Sequence, residues 1–360
     1  MPAYLNRIGT AVPPHDVHAA FVHFVQQRLE TDRDRRLFDR MARRAAIAHR
    51  YSFIDPAHDM GQAGGAPFYV PGAFPGTARR MAHYERHAPP LAEEAIGRLA
   101  LGTEAGGITH LVVASCTGFM APGLDQLIVR RLGLRPTVER TVVGYMGCYA
   151  GVTALRLAHH LVRSDPSARV LVVALELCSL HFQDTANVEE VLSMLLFADG
   201  CAAALVTGDA TGLELRDFRS AAITEAAHAI TWRIGDAGFL MHLSGEVPGY
   251  IRAAMQQERE QQDPNGLLHG EQPADIPLWA VHAGGRSILD AVESGFALPA
   301  DALARSRAVL HDFGNMSSAT ILFILQRLLA EAPAHPRGTP GFGVAFGPGL
   351  AAESFRFAVA

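Results

Sequence analysis

The sequence contains no lysine, so all 31 basic residues among its 360 are arginine, each with a planar fork suited to phosphate or carboxylate. Basic charge is not in excess either. With 36 acidic residues the formal charge is −5, which excludes a chain-wide positive field for a nucleic-acid backbone. Cysteine is scarce: Cys116, Cys148, Cys178 and Cys201 stand singly, without a CxxC pair. That excludes a disulfide-stapled scaffold and a zinc ribbon, and it points to a reducing, cytoplasmic setting. Long apolar runs are also missing. The longest stretch, 193–206, is interrupted by Asp199, and residues 1–16 lack the basic-then-apolar order of an export signal, so no membrane span is expected.

What is present is a chain with 49% hydrophobic and 19% charged residues, the balance of a globular protein with a sizeable core. Short runs rich in Val, Leu and Ala at 110–115, 170–177, 202–206 and 278–281 alternate with stretches of helical spacing, which is an α/β pattern. Residues 151–164 place Val152, Leu155, Ala158 and Val162 on one face, with Arg156 and His160 elsewhere, as a helix against a sheet would. The Gly/Pro-rich stretch 61–76 reads as a long loop, and 256–277 reads as a polar interruption with a turn at Asp263-Pro264-Asn265-Gly266. The best division of the chain lies near 207–213.

Cys148 falls between a strand-like run and that amphipathic helix, so its thiol is expected at a helix N-terminus. There the dipole and free N–H groups favour a thiolate, and the flanking Gly147 and Gly151 are expected to let a substrate approach. His282 ends the run Leu278-Trp279-Ala280-Val281-His282, at the kind of strand end where α/β sites gather. Asn315 lies in a turn directly before an apolar helix. Singly, each has an ordinary structural reading: a buried thiol, a satisfied core histidine, a turn asparagine. Jointly they form a Cys–His–Asn set, in which His pairs with a thiolate while His and Asn donate to a developing oxyanion. Two chemistries use it, acyl-thioester condensation and cysteine hydrolysis. The 134-position gap from Cys148 to His282 is papain-like, but Cys148 lacks the Cys-Gly-Ser-Cys-Trp context. His83 and His87, four apart on a helical stretch, have no third ligand nearby, and no metal is expected.

Gly147-Cys148-Tyr149-Ala150-Gly151, His282-Ala283-Gly284-Gly285, Gly314-Asn315-Met316-Ser317-Ser318 and Gly343-Val344-Ala345-Phe346-Gly347-Pro348-Gly349 together resemble the chalcone synthase-like, type III polyketide synthase family. The resemblance implies an α/β fold of thiolase type, an αβαβα five-layer sandwich. Its two pseudo-symmetric halves would be 1–210, carrying the cysteine, and 211–360, carrying the histidine and asparagine. It implies acyl-CoA and malonyl-CoA as substrates, no metal or organic cofactor, and a homodimer. Cys148 would carry the growing acyl chain, paired with His282 as an ion pair, while His282 and Asn315 stabilise the enolate left by decarboxylation of malonyl-CoA.

Carried over by position, Phe197 would be one gatekeeper of the cavity, with Cys116, Thr117, Cys178, His181, Ser317 and Phe346 lining it. The second gatekeeper position holds Met241 instead of Phe, and Trp232 stands where plant enzymes have a small residue. Ala345 precedes Phe-Gly-Pro-Gly in a segment about two residues shorter than the plant form. Arg40 and Arg44 match two positions that hold CoA phosphates, and Leu37 replaces a third, basic one. The cavity positions resemble those of bacterial alkylpyrone and alkylresorcinol synthases, which implies a fatty acyl starter and an α-pyrone, resorcinol or phloroglucinol-type product. The alternatives are a single-round ketoacyl synthase III-like enzyme and a non-catalytic acyl-CoA-binding homologue.

Overall fold

The structure is a computed structural model that describes residues 1–59 and 67–360. The apolar runs form strands. In chain order the longer ones are β1 (Ala3–Ala11), β2 (His110–Ser115), β3 (Glu139–Gly144), β4 (Val170–Leu177), β5 (Asp199–Thr207), β6 (Leu213–Ala222), β7 (Ile230–Gly235), β8 (Gly238–Leu243), β9 (Leu278–Val281), β10 (Pro340–Gly347) and β11 (Ala351–Val359). Nine join one mixed sheet in the order β9-β10-β11-β6-β1-β5-β4-β2-β3, and β7 and β8 form a separate hairpin. Strand β2 is parallel to β3 and β4, and β9 to β10; the other pairs in the sheet are antiparallel.

Leaving out the outermost β3, the sheet reads alike from either end. The path β2-β4-β5-β1 has one parallel pair followed by two antiparallel ones, and so has β9-β10-β11-β6. The two paths meet where β1 pairs with β6. Every residue of β4 and β5 is buried, which is why these strands read as unbroken apolar runs instead of alternating ones.

Helices cover the sheet: α1 (Asp32–Arg44), α2 (Thr77–Gly97), α3 (Ala150–Ser164), α4 (Val247–Gln261), α5 (Arg286–Phe296) and α6 (Thr320–Glu331) are the longer ones that bear on the site. The first six residues of α6 are all buried, so it has no solvent face there and lies in a central layer. Helix α3 packs against β2 and β4 and also against β6 and β11, so both ends of the sheet fold onto it. Val152, Leu155, Ala158 and Val162 are buried and His160 is exposed, as the spacing predicts.

Of the long loop 61–76, residues 61–66 lie outside the described residues, while 67–76 contain neither helix nor strand. The interruption 256–277 begins later than expected, because α4 continues to Gln261 and ends on Gln262 in the left-handed region. The turn at Asp263 is present, with Gly266 N–H donating to its carbonyl at 2.9 Å.

Candidate active site

Cys148 sits in the turn that leads into α3, two residues before its first helical residue. Gly147 has φ +81°, and a Cβ there would lie 2.4 Å from Pro348 Cδ; at Gly151 it would lie 2.2 Å from the Ser318 carbonyl oxygen. These glycines therefore admit neighbouring protein, the β10–β11 turn and the segment before α6, and not a substrate as the sequence suggested. They fix the turn that carries Cys148 between the two strand paths.

His282 directly follows β9 and its N–H donates to the Val344 carbonyl at 2.8 Å. Asn315 is held by both backbone ends: its N–H donates to Leu196 O at 2.8 Å, and its carbonyl accepts from Ala198 N–H at 2.9 Å. Its Oδ1 accepts from Ser317 N–H at 2.8 Å, which fixes the amide so that Nδ2 faces the Gly284 carbonyl at 3.2 Å. The same amide hydrogen-bonds to the Cys148 thiol, and Ser317 Oγ lies 3.6 Å from Cys148 Sγ.

Burial works against the expected ion pair. Burial pushes the Cys148 thiol up to about 11, outweighing the hydrogen bonds from Ser317 and Asn315. Burial alone pushes His282 down to about 3. Both ring nitrogens of His282 are buried without a hydrogen-bond partner among the described residues. Burial thus favours the uncharged form of each side chain, thiol and imidazole. Desolvation of charge wins over the helix N-terminus, and the imidazole has a free donor and a free acceptor for whatever fills the cavity.

That cavity encloses about 760 Å³ of empty space, its open mouth included. Cys148, His282 and Asn315 share it with Cys116, Thr117, Cys178, Phe197, Met241, Trp232, Ser317 and Phe346. His181 is not among its lining residues. It is fully buried behind the wall, where its ring stacks on Phe239 with centroids 4.2 Å apart. Sequence reasoning missed Glu176, which lies in β4 with no exposure and binds the wall together. It accepts from Cys116 N–H at 3.0 Å, Thr117 Oγ1 at 2.8 Å and Ser318 Oγ at 2.5 Å. Burial raises its pKa. The signal was available: a carboxylate inside an otherwise apolar strand must find donors.

Two further spaces adjoin the cavity. A side pocket of about 460 Å³, its open mouth included, shares Cys178, Met194 and Phe197 with it; Val17, Phe21, Ile54 and Phe182 line the rest together with the polar Arg50, Ser52, Tyr69 and Ser179. A wider groove of about 1530 Å³ shares Leu243, Gly284 and Ile288 with it and leads outward. Arg44 lines this groove, and so does Arg286, which the sequence reading did not single out; Arg40 does not line it. His83 and His87 pack on Phe68 and Phe53, with centroids 4.3 and 4.4 Å apart. Among the described residues no group of three or more His, Cys, Asp or Glu is gathered for a metal.

With this geometry in place, comparison with known proteins is decisive. The N-terminal domain of chalcone and stilbene synthases matches residues 2–210, and the C-terminal domain of the same family matches 214–359. The chain belongs to that family. It is a type III polyketide synthase, a condensing acyltransferase of thiolase fold that uses CoA thioesters as substrates and needs no cofactor. It is 34% identical over 329 residues to the alpha-pyrone synthesis polyketide synthase-like Pks18 of Mycobacterium tuberculosis, spanning 88% of this chain and 81% of that one. It is 36% identical over 368 residues to bisdemethoxycurcumin synthase of Oryza sativa subsp. japonica, spanning 96% and 90%. Among solved structures, PKS-I of the brown alga Ectocarpus siliculosus matches with a TM-score of 0.88 at 26% identity, over 100% of this chain and 98% of that one. No helix of the described residues is long and apolar enough to cross a membrane.

Proposed function

We propose that this type III polyketide synthase extends a fatty acyl-CoA with malonyl-CoA units on Cys148 and closes the product to an α-pyrone, resorcinol or phloroglucinol-type ring. The observation that carries the fatty starter is the side pocket bordering the Cys148 cavity at Cys178, Met194 and Phe197, mostly apolar but with Arg50, Ser52, Tyr69 and Ser179 in its wall. The likeness to an alpha-pyrone synthesis polyketide synthase supports the α-pyrone among these rings.

In this reading the groove takes CoA, with Arg44 and Arg286 at its phosphates and Arg40 contributing at longer range. His282 accepts the Cys148 proton as the starter thioester arrives, and the thiolate attacks the acyl carbonyl. The C–S bond to CoA breaks and CoA leaves with a proton. Malonyl-CoA then loses CO₂, and the released electron pair becomes an enolate whose oxygen accepts from His282 and Asn315 Nδ2. The enolate carbon attacks the Cys148 thioester, forming the new C–C bond and returning the thiolate. Desolvated donors fixed in advance at the enolate oxygen stabilise the charge where it develops. Cys116, Thr117, Cys178, Ser317 and Phe346 shape the cavity around the chain, with Phe197 and Met241 at its gate and Trp232 limiting its depth.

The same reading takes 1–210 and 211–360 as the two halves, supported by the mirrored strand paths. It takes the cytoplasm as the setting and a second copy of the chain as partner along β3. That strand is the sheet edge, with Val142 55% exposed, and Phe119 nearby is 46% exposed. The test is mass spectrometry of products from malonyl-CoA with acetyl-, hexanoyl-, lauroyl-, palmitoyl- and aromatic CoA starters, beside Cys148→Ala. Cys148-dependent rings from the long starters are expected; rings from short or aromatic starters alone overturn the fatty-acyl reading.

A further inference from the structure

His181 has a second role to account for, because it lies off the cavity yet every polar atom of its ring is used. Phe239 N–H can only donate, so Nδ1, at 3.0 Å, is the acceptor; the ring proton is therefore on Nε2, which donates to the Thr117 carbonyl at 2.7 Å. The neutral ring with its proton on Nε2 is the one form that satisfies both. Burial holds it neutral, far below the usual histidine range, at about 3. The ring lies parallel to Phe239, at 11°, and edge-on to Trp232 at 5.4 Å.

The two partners belong to different structural units. Thr117 is part of the cavity wall that follows β2, whereas Phe239 belongs to β8 of the separate hairpin. On that hairpin Met241 and Trp232 are directly paired across the two strands, and both line the cavity. A two-stranded hairpin is marginal on its own, so its position is set by what ties it to the rest. Thr77 holds the hairpin's turn, its Oγ1 donating to the Gly235 carbonyl and accepting from Gly238 N–H at 2.9 Å; toward the cavity the side-chain ties are His181 to Phe239, Trp232 Nε1–H to the Cys116 carbonyl at 2.9 Å, Tyr145 hydroxyl to the Trp232 carbonyl at 3.2 Å, and Gln183 to the Phe239 carbonyl at 3.3 Å. Trp232 reaches the wall directly from the hairpin, whereas His181 is the one side chain among these from outside the hairpin that bonds both the wall and the hairpin.

We infer that His181 is a positioning residue that latches the β7–β8 hairpin to the cavity wall and so sets how far Trp232 and Met241 intrude on the growing chain. It touches no substrate and leaves Cys148, His282 and Asn315 untouched. Its effect is on which chain fits, and not on how fast the enolate forms. This inference rests on the polyketide-extending reading given above.

His181→Phe keeps ring volume and the stack on Phe239 but removes both hydrogen bonds. The expected result is malonyl-CoA decarboxylation within about threefold of wild type, while the ratio of short- to long-starter use shifts by about tenfold, the scale that a methylene of cavity sets. Amides of 230–243 are expected to lose hydrogen-exchange protection in the same variant. His181→Gln, which can restore the bond to Thr117, is expected to lie between the two. Gln183→Leu, removing a weaker tie to the same Phe239, is expected to shift the ratio in the same direction by less, and it carries the test if His181→Phe does not fold. Unchanged starter and product ratios in folded variants overturn the latch, whatever the exchange data show. If wild type itself forms no polyketide from any starter, the reading of the site fails instead, so the two failures are distinguishable.

Discussion

The side pocket makes a quantitative demand on starter selection. If the acyl tail leaves the catalytic cavity past Cys178, Met194 and Phe197, each methylene beyond the passage is buried among Val17, Phe21, Ile54 and Phe182. A buried methylene contributes about 0.8 kcal/mol, so the four that separate a decanoyl from a hexanoyl starter contribute about 3 kcal/mol. That corresponds to a preference on the order of 200-fold in kcat/KM. Cys178 is buried at the boundary of the two spaces, packed with Cys148 and Phe197. Cys178→Phe puts a ring in that passage, and the decanoyl preference is expected to fall below about tenfold, with hexanoyl turnover held within about threefold. The assay is product formation from malonyl-CoA and each starter, with wild-type thermal unfolding as the check on folding. A folded Cys178→Phe that still prefers decanoyl by the wild-type factor refutes the route. So does a wild type with no chain-length preference.

Other expectations follow from the same geometry. Gly147→Ala forces a left-handed backbone and a contact with Pro348, and together these cost about 2–4 kcal/mol; urea unfolding should show the loss, with decarboxylation falling in parallel as the Cys148 turn shifts. Arg44→Ala should raise KM for malonyl-CoA by about tenfold at nearly constant kcat, and Arg40→Ala by clearly less, because only Arg44 lines the groove; equal effects would contradict that placement. In acid, His18 and His159, held near 4, and His181 and His282, held near 3, all bind protons more weakly folded than unfolded. Their contribution is present above the unfolded histidine pKa of about 6.5 and is lost as pH falls from there toward 4. Asp199, raised by burial to about 6, works with the opposite sign, as do Glu176 and Glu258, which burial also raises; His83, His87 and His269, lowered by burial, add to the four, so seven histidines stand against three carboxyls. Denaturant unfolding should therefore show stability declining below pH 6.5; a flat profile from pH 7 to 4.5 would contradict the burial of these rings.

Much of the fold was legible because burial leaves a compositional trace. Residues 170–177 and 278–281 are strands over the expected bounds, since strands covered on both faces must be apolar throughout. The helix after Cys148 was legible for the opposite reason: it has an exposed face at His160 and thus a period. The hairpin β7–β8 was not legible, because Thr231, Arg233 and His242 interrupt its apolar residues and its order comes from ties to residues more than fifty positions away, such as His181. Likewise 256–277 reads as a polar loop although α4 reaches Gln261, because an exposed helix end of Gln, Glu and Arg has no apolar stripe to reveal it.

The candidate Cys148–His282–Asn315 set was legible, and its placement in one cavity follows from strand ends and turns that the sequence marks with glycine. Their protonation states were not. A helix N-terminus argues for a thiolate, and that argument is local; desolvation depends on how completely distant segments close over the thiol. Here Ser317 lies at hydrogen-bond range and Phe197 packs beside it, leaving Cys148 9% exposed. The balance therefore turns on water displaced by residues about fifty and about 170 positions away. It also has a kinetic consequence. A thiol held near 11 is almost entirely protonated at pH 7, so alkylation of the ligand-free enzyme by iodoacetamide should be slow at neutral pH and rise steeply above pH 9. A rate that is already on its plateau at pH 7 would mean that the ion pair exists before substrate arrives, and that the cavity solvates charge better than its apolar walls suggest.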